Sequence, residues 1–279
     1  MILLFLILAI IVSAMFLYFT QTGILRALLV FVLSFIALNV LYMCFWAIVG
    51  LFIDNSKPIR RQSALCRGGC VGISTLALGY CWVRTKVYGL EKLPEGERFL
   101  LVSNHRSLFD PLIFMKYLRK YEMAFIGKPS ALALPVVGKI GYGAGCLPID
   151  RANDREALKT VLTAADYLKK NFCSMAIFPE GTRNKTGDTL LPFRPGAFKI
   201  AQKAGTPVVV AALCGTESIN RNMFRRVTDT ELHILEVIPA DEVREASTKE
   251  LADRSSELIR KCVEKAESET ENAAGARTA

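Results

Sequence analysis

The chain has 279 residues, which is enough for one sizeable domain and an appendage. It carries 35 Lys and Arg against 26 Asp and Glu, so its formal charge is +9. Positive charge of this kind suits anionic lipid headgroups and phosphorylated substrates, whereas the lack of a basic helix or recognised motif argues against nucleic acid as a partner. The eight cysteines are scattered, which predicts free thiols in a reducing compartment and no zinc site.

The N-terminal region is almost free of charge. Between residues 1 and 53 the only charged side chain is that of Arg26. Apolar helices are predicted over about 1–19 and 27–53, each long enough to cross a bilayer, with a break at TQTG. Residues 1–61 are therefore predicted to form a two-helix membrane hairpin. The alternatives are a cleaved signal peptide, a buried core hairpin and shallow insertion into one leaflet.

Basic residues after the second helix predict its orientation. Lys57, Arg60, Arg61 and Arg67 follow this helix, and the turn between the two helices has no basic residue. The positive-inside rule then places the main domain and the N-terminus on the cytoplasmic side of the cell membrane. Residues 62–82 are apolar and contain several glycines, so they are predicted to be a linker at the membrane interface.

From residue 83 onward, short apolar strands alternate with helical segments. This alternation predicts an α/β fold with a mostly parallel central sheet flanked by helices. Strands are predicted over 83–90, 99–103, 123–126, 146–149, 175–178, 208–213 and 231–238, and helices over 108–120, 154–170, 197–204 and 249–266. The main domain is predicted to span 83–245, and 246–279 to be a C-terminal helix with a disordered tail from Ser268.

The segment NHRSLFD at 104–110 contains a candidate catalytic pair. His105 is predicted to lie in a strand-to-helix turn and Asp110 in the first turn of the helix. A neutral imidazole accepts a proton near neutral pH, and a carboxylate on its other nitrogen orients it and stabilises the imidazolium. In a continuous helix the two side chains would point about 140° apart, so only a turn brings them together. In the alternative interpretation, Asp110 is only an N-terminal helix residue that the helix dipole favours, and His105 is a polar residue whose hydrogen bonds are satisfied.

Polar residues also follow three other predicted strands. Glu180 and Arg183 follow the predicted strand 175–178 and Pro179. Arg151 follows GCLPID at 145–150, and Lys128 follows MAFIG at 123–127. Ligands of open α/β sheets bind at the carboxyl ends of strands, and a guanidinium binds phosphate well. The alternatives are a surface ion pair in the turn and an exposed Lys128.

Two other polar residues have simpler interpretations. Asp150 pairs with Arg151 or caps the next helix in the favoured interpretation, and His233 is predicted to be a structural histidine of a strand. No G-x-S-x-G elbow and no P-loop motif is present in the sequence. The candidate base therefore has no protein nucleophile beside it, which suggests that a substrate supplies the attacking atom.

The three blocks NHRSLFD, GCLPIDR and FPEGTR, in this order, resemble the glycerolipid acyltransferases, specifically the 1-acylglycerol-3-phosphate (lysophosphatidate) acyltransferases. The resemblance covers roughly 83–239. It implies an O-acyltransferase of phospholipid biosynthesis that uses acyl-CoA or acyl-carrier protein to acylate the sn-2 hydroxyl of lysophosphatidate, giving phosphatidate. His105 is then the general base, Asp110 orients it, and no acyl-enzyme forms.

The resemblance also implies a set of binding residues and partners. The glycerol phosphate is expected to contact Arg151, Glu180, Gly181, Thr182, Arg183 and Lys128, and backbone N–H groups near Gly181 are expected to stabilise the oxyanion. Membrane lipids and the acyl donor are the expected partners, and no metal or tightly bound cofactor is expected. Two alternatives stay open: a different acceptor (another lysophospholipid, glycerol-3-phosphate or an amino-acid lipid), and a non-catalytic membrane lipid-binding protein.

Overall fold

The computed structural model describes residues 1–21, 23–55 and 59–275. Thr22 of the predicted break, Lys57 and residues 276–279 lie outside these ranges. The helices are α1 Ile2–Thr20, α2 Ile24–Leu51, α3 Ala64–Tyr80, α4 Asp110–Tyr117, α5 Pro129–Leu132, α6 Val137–Gly143, α7 Asp154–Lys169, α8 Lys199–Ala204, α9 Ile219–Asn222, α10 Ala240–Glu245 and α11 Thr248–Gly275. The strands are β1 Val83–Tyr88, β2 Leu100–Ser103, β3 Met123–Gly127, β4 Leu147–Pro148, β5 Ser174–Ile177, β6 Val208–Cys214 and β7 Thr228–Ile238.

The seven strands form one sheet in the order β1-β7-β6-β2-β5-β3-β4. Strands β6, β2, β5, β3 and β4 run in the same direction. Strand β7 pairs antiparallel with β6 and parallel with β1, so these two strands run the other way. The predicted α/β fold with a mostly parallel sheet and flanking helices is confirmed.

The central strands are mostly apolar because both of their faces are covered. Every residue of β2, β5 and β6 is buried. The helices contribute Ile113, Tyr167, Ile200 and Ile259 to the same core. Each of the seven predicted strands has a counterpart in the sheet, although β4 is only two residues long.

The N-terminal helices α1 and α2 pack against each other, and both also contact α3. Both α1 and α2 are long and apolar enough to cross a membrane, and most of their large apolar side chains are exposed. A Cβ at Gly69 of α3 would lie 2.7 Å from the ring of Trp46, and one at Gly79 would lie 2.4 Å from Ile2. Small residues on α3 therefore allow both helices to approach it closely.

Two segments differ from the sequence-based expectation. Helix α3 occupies most of 62–82, where a linker was expected, because Ser63 caps its N-terminus and its apolar face packs on α4 and α6. Helix α11 continues past Ser268 to Gly275, where disorder was expected. Its residues Leu251, Ile259 and Val263 are part of the main core, so α11 packs as part of the domain rather than as an appendage.

Candidate active site

Polar residues gather at one edge of the sheet because parallel strands end on the same side. The loop after β2 contains His105, and the loop after β5 contains Glu180. Since β2 and β5 are neighbours, these two loops meet. Lys128 and Arg151 follow β3 and β4, further along the same edge.

His105 and Asp110 form a hydrogen-bonded pair. The distance from His105 Nδ1 to Asp110 Oδ2 is 2.8 Å. The same oxygen accepts the backbone N–H groups of Arg106 and Ser107, each at 2.8 Å. These bonds fold the turn so that the first residue of α4 points back at the imidazole. The Asp110 side chain is fully buried, and that of His105 is 18% exposed. The pairing that the sequence made conditional on a turn is therefore present.

The hydrogen bond assigns the protons of the imidazole. An ionised carboxylate only accepts hydrogen bonds, so Nδ1 carries the proton and Nε2 carries a lone pair. Phe178 stacks on the imidazole with ring centroids 4.1 Å apart and planes 12° from parallel. Phe178 in turn packs on Phe125 and Phe114 of the core. Sequence reasoning missed this role, for which the only signal is an aromatic residue at the end of a strand.

Glu180 connects the His105 turn to the loop that follows β5. Its Oε1 accepts the backbone N–H of His105 at 2.6 Å, and its Oε2 accepts that of Leu191 at 3.1 Å. The residue is buried. Burial raises the pKa of the Glu180 carboxyl, whereas the two N–H donors lower it. The sequence pointed to a substrate-binding role, but both carboxylate oxygens are engaged by the protein backbone.

Asn104 extends the pairing of β2 with β6 by one step. Its side-chain amide donates to the carbonyl of Leu213 and accepts the N–H of Leu213, both at 2.8 Å. The residue is fully buried, so these bonds satisfy groups that water does not reach. The backbone carbonyl of His105 also accepts the N–H of Asn184 at 2.7 Å. His105 is thus held by hydrogen bonds on both sides.

Two guanidinium groups approach Gly181. This glycine has φ +77°, and a Cβ on it would lie 2.9 Å from Arg194 Nε and 3.4 Å from Arg151 Nη1. Neither arginine forms an ion pair with any residue that the structure describes. Burial lowers the pKa of Arg151, and the positive charge of Arg194 lowers it further. The site therefore concentrates unneutralised positive charge. Arg194 was not among the predicted site residues, although it lies only 11 residues after Arg183.

The remaining predicted site residues have fewer contacts. The Arg183 side chain is half-buried, and those of Thr182 and Lys128 are exposed. None of the three makes a side-chain hydrogen bond or ion pair within the described ranges. The N–H groups near Gly181 were expected to stabilise the oxyanion. The N–H of Gly181 itself donates to the carbonyl of Phe178 at 3.0 Å, so it is not free to do so.

Asp150 follows neither of its expected roles. Its Oδ1 accepts the N–H of Ala152 at 3.0 Å. Asn153 caps α7 instead, accepting the N–H groups of Arg155 and Glu156. Arg151 is consequently left without the carboxylate that the sequence suggested as its partner.

Comparison with known proteins places these features in one family. The model of the family described as Acyltransferase matches residues 84–213. The chain is 30% identical over 176 residues to a 1-acyl-sn-glycerol-3-phosphate acyltransferase of Borreliella burgdorferi, and the match covers 62% of this chain and 68% of that protein. This chain belongs to the 1-acyl-sn-glycerol-3-phosphate acyltransferase family. The matched region 84–213 contains the His105–Asp110 pair, Arg151 and Arg194.

Two further members of this acyltransferase family show how far the similarity extends. The chloroplastic 1-acyl-sn-glycerol-3-phosphate acyltransferase BAT2 of Brassica napus is 37% identical over 141 residues, which is 50% of this chain and 40% of that protein. This chain therefore spans less than half of that relative. The crystal structure of the 1-acyl-sn-glycerophosphate acyltransferase PlsC of Thermotoga maritima aligns with a TM-score of 0.61 and 25% identity. That alignment covers 82% of this chain and 95% of the other.

Proposed function

We propose that this protein transfers an acyl chain from acyl-CoA or acyl-carrier protein to the sn-2 hydroxyl of lysophosphatidate, giving phosphatidate. The observation that supports this most directly is the 2.8 Å bond between His105 Nδ1 and Asp110 Oδ2. It leaves an oriented lone pair on Nε2 at the edge of the sheet where the cations also lie. A protein that only bound lipid would have no use for an oriented base.

In the proposed mechanism, His105 Nε2 removes the proton from the acceptor hydroxyl. The oxygen attacks the thioester carbonyl, and Asp110 stabilises the imidazolium that forms. The thiolate leaves as the ester forms, and it takes its proton from the imidazolium. Positioned proton transfer contributes about 10²–10⁴-fold, and holding two bound substrates together contributes more. The acceptor hydroxyl is the nucleophile in this mechanism, so the protein forms no covalent intermediate.

Arg151 and Arg194 bind the phosphate of the acceptor in this proposal. A guanidinium matches phosphate oxygens with two parallel N–H donors. The repulsion between two nearby cations without carboxylate partners is relieved when a phosphate dianion binds between them. Gly181 leaves room for both groups, and we assign Arg183, Thr182 and Lys128 to the same subsite because the resemblance implies it. Glu180 acts as a positioning residue, since its oxygens bind the backbone of the two active-site loops.

The proposed step needs no metal and no bound cofactor. The chain itself supplies the base, the carboxylate that orients it and the cations that bind the phosphate. The acyl donor enters as a co-substrate whose thiol leaves as CoA or as acyl-carrier protein.

The N-terminal helices anchor the domain at the membrane that contains the acceptor in this proposal. Helix α1 is 19 residues long and thus about 28 Å, close to the hydrocarbon thickness of a bilayer. Met1 Sδ would lie 3.4 Å from a Cβ at Gly72 of α3, so the two ends of the hairpin return to the same side. With Arg60, Arg61 and Arg67 after α2, the domain lies on the cytoplasmic side.

The experiment is an acyl-transfer assay of the full chain in vesicles. Labelled acyl-CoA and acyl-carrier protein are each tested with lysophosphatidate, a lysophospholipid that has a larger headgroup, and glycerol-3-phosphate. Phosphatidate should be the main product, and His105→Ala should reduce its formation at least 100-fold while the protein still folds. Arg260→Gln, an exposed arginine on α11, is the control. Full activity of His105→Ala would refute the role of His105 as the general base. Preference for an acceptor without a phosphate monoester would refute lysophosphatidate as the substrate.

A further inference from the structure

Three metal-ligating side chains meet away from the His105–Asp110 pair. The Sγ atoms of Cys214 and Cys262 and a ring nitrogen of His233 all lie within 4.8 Å of one another. Cys214 is buried, and the other two residues are partly buried. The sequence predicted no zinc site because it has no close cysteine–histidine spacing. These three residues belong to β6, β7 and α11 instead, so only the fold brings them together.

The strand register explains how two of the residues come to share one face. In the antiparallel pairing of β6 with β7, Ala212 is opposite His233, and Cys214 is opposite Glu231. Opposite residues of paired strands lie on the same face, as do alternate residues of one strand. The side chains of Cys214 and His233 therefore project on the same side of the sheet.

Helix α11 covers this face and supplies the third ligand. Ile259 and Val263 of α11 are fully buried in the core. Cys262 lies between them in sequence, one residue before Val263 and about one turn after Ile259. The packing of α11 on β6 consequently directs its thiol towards the other two groups.

One ring nitrogen of His233 has a carboxylate partner. Its Nε2 is 2.9 Å from Glu231 Oε2, and its ring stacks on Tyr88 with centroids 4.7 Å apart. When the N–H of Nε2 donates a hydrogen bond to this carboxylate, Nδ1 carries the lone pair. Metal-bound histidines commonly donate their other nitrogen to a carboxylate, which fixes the tautomer and raises the basicity of the ligand.

We propose that Cys214, His233 and Cys262 bind one thiophilic divalent cation, with Zn²⁺ as the reference ion. Two thiolates and one imidazole form a known zinc donor set, and thiolates disfavour hard cations such as Mg²⁺. In a tetrahedral zinc site the ligand atoms are about 3.7 Å apart. The ligand atoms are at most 4.8 Å apart here, so side-chain rotations that shorten these distances by about 1 Å bring them to the separation of a zinc site. Binding displaces the thiol protons.

Such an ion would hold α11 onto the sheet beside the catalytic turn. Leu213, which precedes Cys214, forms both hydrogen bonds with Asn104. Arg106 of the turn also donates to Glu267 of α11 at 2.5 Å. The proposed ion therefore fixes α11 on the sheet, with water in the fourth position of the tetrahedron, and the proposal does not depend on the acyl-transfer activity.

The test uses the full-length protein, purified with a reductant and titrated with Co²⁺ and then Zn²⁺. We expect one equivalent of Co²⁺ per chain with a thiolate-to-cobalt charge-transfer band, which Zn²⁺ removes. Cys262→Ser and Cys214→Ser should lose the band. Cys44→Ser, which removes an exposed thiol of α2, should retain it. Glu231→Gln should weaken binding about 10- to 100-fold, as expected for the carboxylate partner of a ligating histidine.

The proposal has clear contrary results. It is overturned if the reduced wild-type chain gives no thiolate band, or if Cys262→Ser binds Co²⁺ with unaltered affinity. Cys214 is in the core, so if its variant does not fold, the Cys262 variant decides the test. Zn²⁺ should also raise the Tm of wild type and of Cys44→Ser but not that of Cys262→Ser. An equal rise in all three would overturn the site.

Discussion

Replacing Asp110 by Asn removes a charge from the candidate site with little change of shape. An amide oxygen at the position of Oδ2 still accepts from His105 Nδ1 and from the N–H groups of Arg106 and Ser107. The amide nitrogen takes the position of Oδ1, which has no hydrogen-bond partner among the described residues. The substitution should therefore preserve the turn and the tautomer of His105, remove the negative charge, and bury an amide group whose N–H donors have no acceptor among the described residues.

The size of the effect follows from the electrostatics of the pair. The imidazolium and carboxylate charges are spread over several atoms, so their effective separation is about 4 Å. At an effective dielectric constant near 20 they attract each other by about 4 kcal/mol. If the proton is half transferred in the transition state, about half of this is lost in Asp110→Asn. Since about 1.4 kcal/mol corresponds to a tenfold change in rate, kcat should fall roughly 10- to 100-fold.

The assay is steady-state kcat with lysophosphatidate and the preferred acyl donor, together with the Tm of each variant. Asp253→Asn on the exposed side of α11 is the matched control and should behave as wild type. Asp110→Ala should in addition lower Tm, because it leaves two buried N–H groups without an acceptor at about 1–3 kcal/mol each. A kcat of Asp110→Asn within about twofold of wild type, measured well below the Tm of the variant, would refute the role of the charge.

Three further substitutions test the rest of the candidate site. Arg194→Gln should raise KM for lysophosphatidate at least tenfold with a smaller change in kcat, whereas Arg260→Gln should change neither; equal KM values in the two variants would exclude Arg194 from the phosphate subsite. Glu180→Ala should destabilise the protein by about 1–3 kcal/mol for each N–H that it leaves unpaired, with a smaller loss for Glu180→Gln, as measured by urea unfolding. Gly181→Ala should cost about 1–2 kcal/mol of backbone strain at φ +77° and also raise KM, because the new methyl group displaces Arg194. An unchanged KM and Tm in Gly181→Ala would contradict the close approach.

Much of the fold was predictable because its signals are local. Apolar runs that end at Gly, Pro or polar residues mark the strands, and each of the seven predicted strands appears in the sheet. The two apolar N-terminal helices follow from an uncharged stretch alone. The components of the His105–Asp110 pair were also predictable, since a strand-to-helix turn places both of them at the carboxyl end of β2. The family resemblance added their chemical roles.

Other features depend on which distant segments become neighbours. Arg194 lies beside Arg151 because both approach Gly181, and no spacing in the sequence signals that approach. Glu180 binds the backbone of His105 only because β5 pairs with β2. Cys214, His233 and Cys262 meet because of the register of β6 with β7 and the packing of α11. The sequence by itself therefore determined the strands, the two apolar N-terminal helices and the candidate base. The tertiary structure decided which charges and ligands share a site, because strand order and helix packing set those distances.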